Sequence, residues 1–226
     1  MIPSVALVGL LLAAPAAQPA ARESGPDRAL AYYHYSLAQQ AGRTEQALEE
    51  LRKAQRYDPG AGVIRAEIAR LLRELGRPDE ALEAAKEGVR LAPGSADARR
   101  VLAQLLRDLA QSGVEPEANL RAVAEQLEKI VELEPTDGQG LLTLVNTWLQ
   151  LGEGAKAAPV LESYLELDPG NVERHLQLGS LYLQLGKGEQ AAAALKRALD
   201  LQPDSAQGYA RLGDVYAQAE QLDLSL

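Results

Sequence analysis

The sequence predicts an all-α solenoid built from stacked helix-turn-helix repeats, and three observations lead to this fold. Prolines recur in similar settings at positions 59, 93, 135, 169 and 203, separated by 34, 42, 34 and 34 residues. Glycines stand 17 residues before four of these prolines, and alanines stand 12 residues before the same four. Phenylalanine and cysteine are absent, so leucine and alanine must form the core, which favours helices. A period of this length is typical of repeat architectures.

Each repeat is predicted to contain two helices, as the unit that ends at Pro203 illustrates. Asn171 can cap the first helix, because its side chain accepts hydrogen bonds from free N–H groups of the first turn. Apolar residues follow at helical spacing until Gly186, and glycine favours the end of a helix. A second apolar stripe begins at Ala191, and the second helix ends before Pro203. The same capping position is occupied in other repeats by Ser95, Asp137 and Ser205.

Small residues and one insertion complete the pattern. Two helices approach closely only where bulky side chains are missing, which predicts a helix contact at Ala81, Ala157, Ala191 and Gly179. The third repeat has eight extra residues, equivalent to about two helical turns. We therefore expect one extra turn on each of its helices, which preserves the packing register. The longer connection is predicted at residues 112–115, with Pro116 opening the second helix.

These residues and spacings resemble the tetratricopeptide repeat (TPR) family. In that motif a large residue, Leu-Gly, Tyr, Gly, Ala, an aromatic residue or Leu, Ala and Pro stand at fixed offsets. The fifth repeat matches it at His175, Leu178, Gly179, Tyr182, Gly186, Ala191, Leu195, Ala198 and Pro203. A sixth repeat begins with Tyr209, Leu212, Gly213 and Tyr216. The resemblance covers residues 27–226, about five full repeats and a truncated sixth, and implies a right-handed α-solenoid.

The N-terminal residues differ from the repeats in composition. The first charged residue is Arg22, and residues 5–14 form an apolar run too short to span a bilayer comfortably. Such a run is typical of a signal peptide, and residues 14–16 fit its small-x-small cleavage rule. The sequence therefore predicts a signal peptide at 1–16 cleaved after Ala16, a linker at 17–26, and a periplasmic or secreted protein. No Lys or Arg precedes the apolar run, so an uncleaved membrane anchor and a disordered cytoplasmic leader remain as alternatives.

Composition argues against several functional classes. The 32 acidic and 23 basic residues give a formal charge of -9, whereas nucleic-acid binding needs a basic face. The absence of cysteine excludes disulfides, and two histidines provide little basis for zinc, haem or iron–sulfur sites. Phosphate-binding glycine loops and nucleophile elbows are also missing. His34 and His175 are expected to pack between helices, so the sequence predicts no catalysis, cofactor or metal.

The resemblance implies that the first helices of the repeats line a concave groove that holds peptides. The groove residues predicted to bind a partner are Arg70, Arg73, Arg100, Gln104, Arg107, Leu142, Asn146, Leu149, Leu176 and Leu183. Guanidinium groups bind carboxylates with fork geometry, and leucines that face water form an apolar contact surface. The hypothesis is a protein or peptide ligand with an acidic part followed by an apolar part. The alternatives are pairing of the arginines with Asp97, Asp108 or Glu74, and burial of the leucines by a tighter superhelix.

The sequence thus predicts a non-catalytic protein-binding scaffold or adaptor of the cell envelope. One alternative is a substrate-recruiting arm of a larger enzyme or sensor whose catalytic domain lies beyond Leu226. A membrane-anchored assembly factor is a third possibility if the leader is not cleaved. A solenoid end normally needs a capping helix, yet the second helix of the sixth repeat has only begun at Leu226. Leu212, Val215 and Tyr216 would then be partly uncovered, which predicts a fragment of a longer protein, or else a truncation covered by a partner or second copy.

Overall fold

The computed structural model describes residues 25–223, with side-chain surroundings for residues 25–217. The predicted signal peptide and most of the predicted linker lie outside the described residues. Between residues 25 and 223 the chain forms α-helices joined by short turns, and no strand occurs there. The helices are α1 (Arg28–Ala41), α2 (Glu45–Tyr57), α3 (Gly62–Glu74), α4 (Pro78–Leu91), α5 (Ala96–Gln111), α6 (Pro116–Leu133), α7 (Gly138–Gln150), α8 (Gly154–Leu167), α9 (Val172–Gln184), α10 (Gly188–Leu201) and α11 (Ala206–Asp223). None of these helices is both long and apolar enough to cross a membrane.

The helices pack in sequential pairs, which confirms the predicted all-α solenoid. Each odd-numbered helix from α1 to α9 packs most extensively against the even-numbered helix that follows it. Each even-numbered helix also contacts the first helix of the next repeat, so the contacts continue from α1 to α11. The core is one continuous layer, formed mainly by leucine and alanine, along the stack, as expected when each repeat buries its apolar face on its neighbours.

The turn inside each ordinary repeat depends on glycine. Gly42, Gly76, Gly152 and Gly186 have φ between 68° and 73°, a backbone conformation that glycine adopts without steric cost. In the second repeat the Gly76 N–H donates to the Arg73 carbonyl at 3.1 Å. The following N–H, of Arg77, donates to the Leu72 carbonyl at 2.9 Å. These bonds satisfy carbonyls at the helix end and let the second helix begin after three residues.

The predicted caps and helix contacts are present. The Ser95, Asp137, Asn171 and Ser205 side chains each accept a hydrogen bond from the N–H three residues ahead. Ala81, Ala157 and Ala191 are completely buried. At Gly179, a Cβ atom would lie 2.5 Å from the Leu195 Cγ, so this position tolerates no side chain unless Leu195 moves.

The third repeat absorbs its eight extra residues as predicted. Its first helix, α5, has 16 residues against 13 in α3, and its second, α6, has 18 against 14 in α4. The remaining extra residue lies in the connection 112–115, and Pro116 opens α6. Gly113 at φ 86° and Glu115 at φ 38° reverse the chain direction in this connection. Both helices are therefore longer by about one turn, and the register of the stack is kept.

The last described helix differs from expectation at one residue. Val215 was expected to be partly uncovered but is only 4% exposed. It packs towards α10, because a Cβ atom on Gly188 would lie 4.0 Å from the Val215 Cγ1. Leu212 is half-buried and Tyr216 is 50% exposed, as expected.

Candidate functional site

The predicted groove residues lie on the odd-numbered helices, and this surface is called the groove face below. It is formed by the exposed sides of α1, α3, α5, α7, α9 and α11. Hollows of about 260, 190 and 640 Å³ open at this face. They lie between α1 and α3, between α5 and α7, and along α7, α9 and α11, respectively.

In the N-terminal half of the groove face, which comprises α1, α3 and α5, arginines connect neighbouring repeats. Arg70 on α3 donates to Asp97 on α5 at 2.9 Å and also pairs with Glu67 on its own helix. Arg73 on α3 contacts Asp108 on α5, with 2.8 Å between Nε and Oδ2. Gln104 donates to the other oxygen of Asp108 at 2.8 Å. Two ion pairs thus join α3 to α5.

A third arginine connects the elongated repeat to the next one. Arg100 on α5 donates to the Asp137 carboxylate at 2.8 Å and also pairs with Glu134. Hydrogen bonds to Glu134 and Asp137 raise the pKa of Arg100 above its ordinary value. The bond from Arg100, followed by the Gly140 N–H, lowers the pKa of the Asp137 carboxyl. Asp137 therefore caps α7 and holds α5 beside it.

The arginines thus follow the pairing alternative at three of the four predicted positions. The partners of Arg70 and Arg73 are two of the three carboxylates expected, Asp97 and Asp108. The third, Glu74, instead pairs with Arg43 at 2.9 Å. Arg107 is different, because it is half-buried at the hollow between α5 and α7 and forms no ion pair with any residue that the structure describes.

The C-terminal half of the groove face, which comprises α7, α9 and α11, has a different character. Asn146 is exposed, as predicted, and Leu142, Leu149 and Leu183 are half-buried against the core. Leu176 corrects the expectation that all four leucines point at water, because it is only 7% exposed. Its carbonyl oxygen accepts a hydrogen bond from Arg211 of α11. The burial alternative therefore applies fully to Leu176 and partly to the other three leucines.

Arg211 is a groove residue that was not among those predicted. The predicted fifth-repeat positions Leu176 and Leu183 correspond to Ala210 and Ala217 in the sixth repeat, so the repeat register does not point to Arg211. Its Nη1 donates to the Leu176 carbonyl at 2.7 Å and also to the Ser180 hydroxyl. Arg211 lines the largest hollow of the groove face together with Leu149, Leu176, Gln177, Gln184 and Gln207.

A family model described as tetratricopeptide repeat matches residues 38–105 and 149–212, more than half of the chain. The chain belongs to the tetratricopeptide repeat family. No curated protein matches the sequence.

Solved TPR structures share the fold. A crystal structure of the MamA protein has 19% identity and a TM-score of 0.56, over 79% of this chain and 94% of that one. YrrB, described as a TPR protein with an unusual peptide-binding site, has 20% identity and a TM-score of 0.56, over 79% of this chain and 90% of that one. MamA 41-end from Desulfovibrio magneticus RS-1 has 18% identity and a TM-score of 0.54, over 81% and 99%. At these identities the similarity establishes the fold alone.

The two histidines of this TPR chain take part in packing, as expected. His175 is buried, and its Nε2 lies 3.0 Å from the Pro169 carbonyl oxygen. The His34 Nδ1 lies 2.6 Å from the Glu50 carboxylate, and its ring stacks on Tyr57 with 5.4 Å between centroids. Among residues 25–217, no group of three or more His, Cys, Asp or Glu side chains is arranged to hold a metal ion. Members of the tetratricopeptide repeat family typically serve as protein-interaction scaffolds.

Proposed function

We propose that this chain is a non-catalytic scaffold or adaptor of the cell envelope that holds a segment of a partner protein against its groove face. The observation that carries the proposal is the C-terminal half of that face. There, half-buried Leu149 and three glutamines line a hollow of about 640 Å³, and exposed Asn146 and half-buried Leu142 and Leu183 lie on α7 and α9, which contribute to it. Apolar groups left open at a surface, with amides beside them, are typical of contact sites. Membership of the TPR family supports the same function, and YrrB has a peptide-binding site on this fold.

A photo-cross-linking experiment tests whether the groove face is the binding surface. Benzoylphenylalanine placed at Asn146 reports on the groove face, and the same residue at Lys196, exposed on α10, serves as the matched control. In cells that naturally produce the chain, we expect irradiation to attach a partner protein to the Asn146 variant and not to the Lys196 variant. Equal cross-linking from both positions, or from Lys196 alone, would contradict a groove-bound partner.

The location in the cell envelope rests on the uncharged N-terminal leader with its apolar run and its cleavage motif at residues 14–16. Export predicts a mature protein that begins at Ala17 and is recovered from the periplasm or the medium. Cell fractionation followed by N-terminal sequencing measures both properties. A chain that keeps Met1 and stays with the cytoplasmic fraction would contradict export, whereas an intact chain in the membrane fraction would indicate an anchored form.

A further inference from the structure

Two arginines of the groove face have no carboxylate partner among the described residues, namely Arg107 and Arg211. The hollow beside Arg107 has a volume of about 190 Å³ and also contains Asp137, which is paired with Arg100. The hollow beside Arg211 is larger, about 640 Å³, and it also contains Arg174, which lies 4.0 Å from Glu173, the one carboxylate of its lining. Arg211 is therefore the stronger candidate for recognition of an external anion.

The side chain of Arg211 is held in place without being neutralised. It is half-buried, and its Nη1 is engaged by the Leu176 carbonyl and the Ser180 hydroxyl, both of which are uncharged. An arginine held by neutral acceptors keeps its full charge and still has N–H groups to donate. Because its position is already fixed, binding a carboxylate costs little additional side-chain entropy. Charge-assisted bonds from a guanidinium to a carboxylate are among the stronger hydrogen bonds in proteins.

The same hollow offers apolar and amide groups within reach of this charge. Leu149, Leu176 and Leu181 contribute the apolar part of its lining, and Leu149 is the half-buried one of the three. The side chains of Gln177, Gln184 and Gln207 line it as well, and each can donate and accept hydrogen bonds from a peptide backbone. The groove face continues beyond Leu149 to Asn146 and Leu142 on α7. A ligand can therefore extend past the hollow, which favours an internal chain segment over a chain end.

We propose that this hollow binds an extended peptide segment in which an aliphatic side chain packs on Leu149 and a nearby Asp or Glu side chain binds Arg211. The inference rests on the proposed function, since it names the ligand chemistry of the same groove face. Three of the four predicted arginines of the N-terminal half are already paired with carboxylates of the chain. The inference therefore assigns recognition of an acidic side chain to an arginine of the sixth repeat instead.

Fluorescence polarisation with synthetic peptides tests this assignment on the full chain. The probes are labelled, C-terminally amidated dodecapeptides of Gly and Ser that carry two adjacent leucines and one aspartate, one to four residues away. Matched peptides replace the aspartate by asparagine, replace the leucines by serine, or carry a free C-terminal carboxylate as their only acid. We expect the best Leu/Asp peptide to bind at least about tenfold more tightly than its asparagine counterpart, the scale of one hydrogen bond to a charged group. The preference should decrease as NaCl is raised.

Two substitutions at Arg211 test whether this residue causes the preference for the aspartate peptide, and a substitution elsewhere serves as the control. Arg211→Gln loses the charge, so the Asp and Asn peptides should bind equally. Arg211→Lys keeps the charge without the fork and should retain a reduced preference. Arg73→Gln removes a paired arginine of the N-terminal half and should leave the preference unchanged.

Several outcomes would overturn the inference. Equal binding of the Asp and Asn peptides to the unsubstituted chain would overturn it. If binding of these peptides still requires the leucines, the proposed function stands although the role of Arg211 is rejected. Binding of only the free C-terminal acid would replace the internal segment by a chain end. An unchanged preference in both Arg211 variants would move the site elsewhere. Failure of every peptide to bind would also reject the inference, while cross-linking from Asn146 would decide the proposed function separately.

Discussion

The two halves of the groove face use the same helix positions for different purposes. In the N-terminal half, the guanidinium groups of Arg70 and Arg73 are bound to carboxylates of the following repeat. In the C-terminal half, the positions equivalent to these two arginines hold Asn146 and Leu149 in the fourth repeat, and Ser180 and Leu183 in the fifth. Charged side chains on a groove face therefore do not by themselves indicate a ligand site, because carboxylates of adjacent repeats can neutralise them. The C-terminal half has no arginine at these positions and leaves Asn146 exposed.

The largest expected effect comes from the packing beneath the C-terminal half of the groove face. A Cβ atom on Gly179 would meet Leu195 at 2.5 Å, so Gly179→Ala should lower the free energy of unfolding by about 1–3 kcal/mol, as overpacked cores do. Gly213 occupies the same position in the sixth repeat, and no described atom lies within 4 Å of its Cβ site. Gly213→Ala should therefore stabilise the chain by up to about 1 kcal/mol through helix propensity. Urea unfolding measures both values, and changes of equal sign would contradict this account of Gly179.

A smaller effect is expected where the two halves meet. Asp137 caps α7 through the Gly140 N–H at 3.0 Å and receives Arg100 from α5. Asp137→Ala removes both interactions and should cost about 1–2 kcal/mol of unfolding free energy. Asp137→Asn keeps a capping oxygen and loses the charge, so it should cost less. If the two variants are equally destabilised, the cap contributes nothing beyond the ion pair.

The pH dependence of the unfolding free energy should also reveal the contribution of Asp137, where the two halves meet. The folded-state pKa of Asp137 is lowered by Arg100 and the Gly140 N–H, so its contribution is fully present above the unfolded-state pKa near 3.9 and is lost as pH falls through the folded value. Urea unfolding measured from pH 7 down to pH 3 should therefore show a steeper loss in the unsubstituted chain than in Asp137→Asn. Parallel curves of unfolding free energy against pH for the two proteins would show that Asp137 does not contribute to the pH dependence of stability.

The smallest expected effect lies within the N-terminal half of the groove face. Arg73 and Asp108 are each about two-fifths exposed, and exposed ion pairs contribute little. A double-mutant cycle with Arg73→Gln and Asp108→Asn should give a coupling free energy of about 0.2–1 kcal/mol. The coupling should shrink further in 0.5 M NaCl. A salt-independent coupling well above this range would mean that the ion pair is a principal connection between the second and third repeats.

The sequence predicted the backbone of this chain better than it predicted the groove. Gly76, Ser95 and Pro116 act through their nearest neighbours along the chain, so their roles as helix stop, cap and helix start follow from local order. The state of Arg70 depends instead on Asp97, 27 residues away, whose approach is set by how closely two repeats stack. The carbonyl oxygen of Leu176 likewise accepts a hydrogen bond from Arg211, 35 residues later. Side-chain partners across repeats depend on distances that periodicity alone does not give.

The elongated third repeat has a consequence for how the array assembles. Repeats of equal length and similar sequence can associate one unit out of step, a characteristic error of repeat proteins. The pair α5 and α6 extends about one turn further than its neighbours, so a frame shifted by one repeat would leave that extra turn without its matching helix. The longer third repeat therefore distinguishes the correct pairing of repeats from a pairing that is shifted by one repeat.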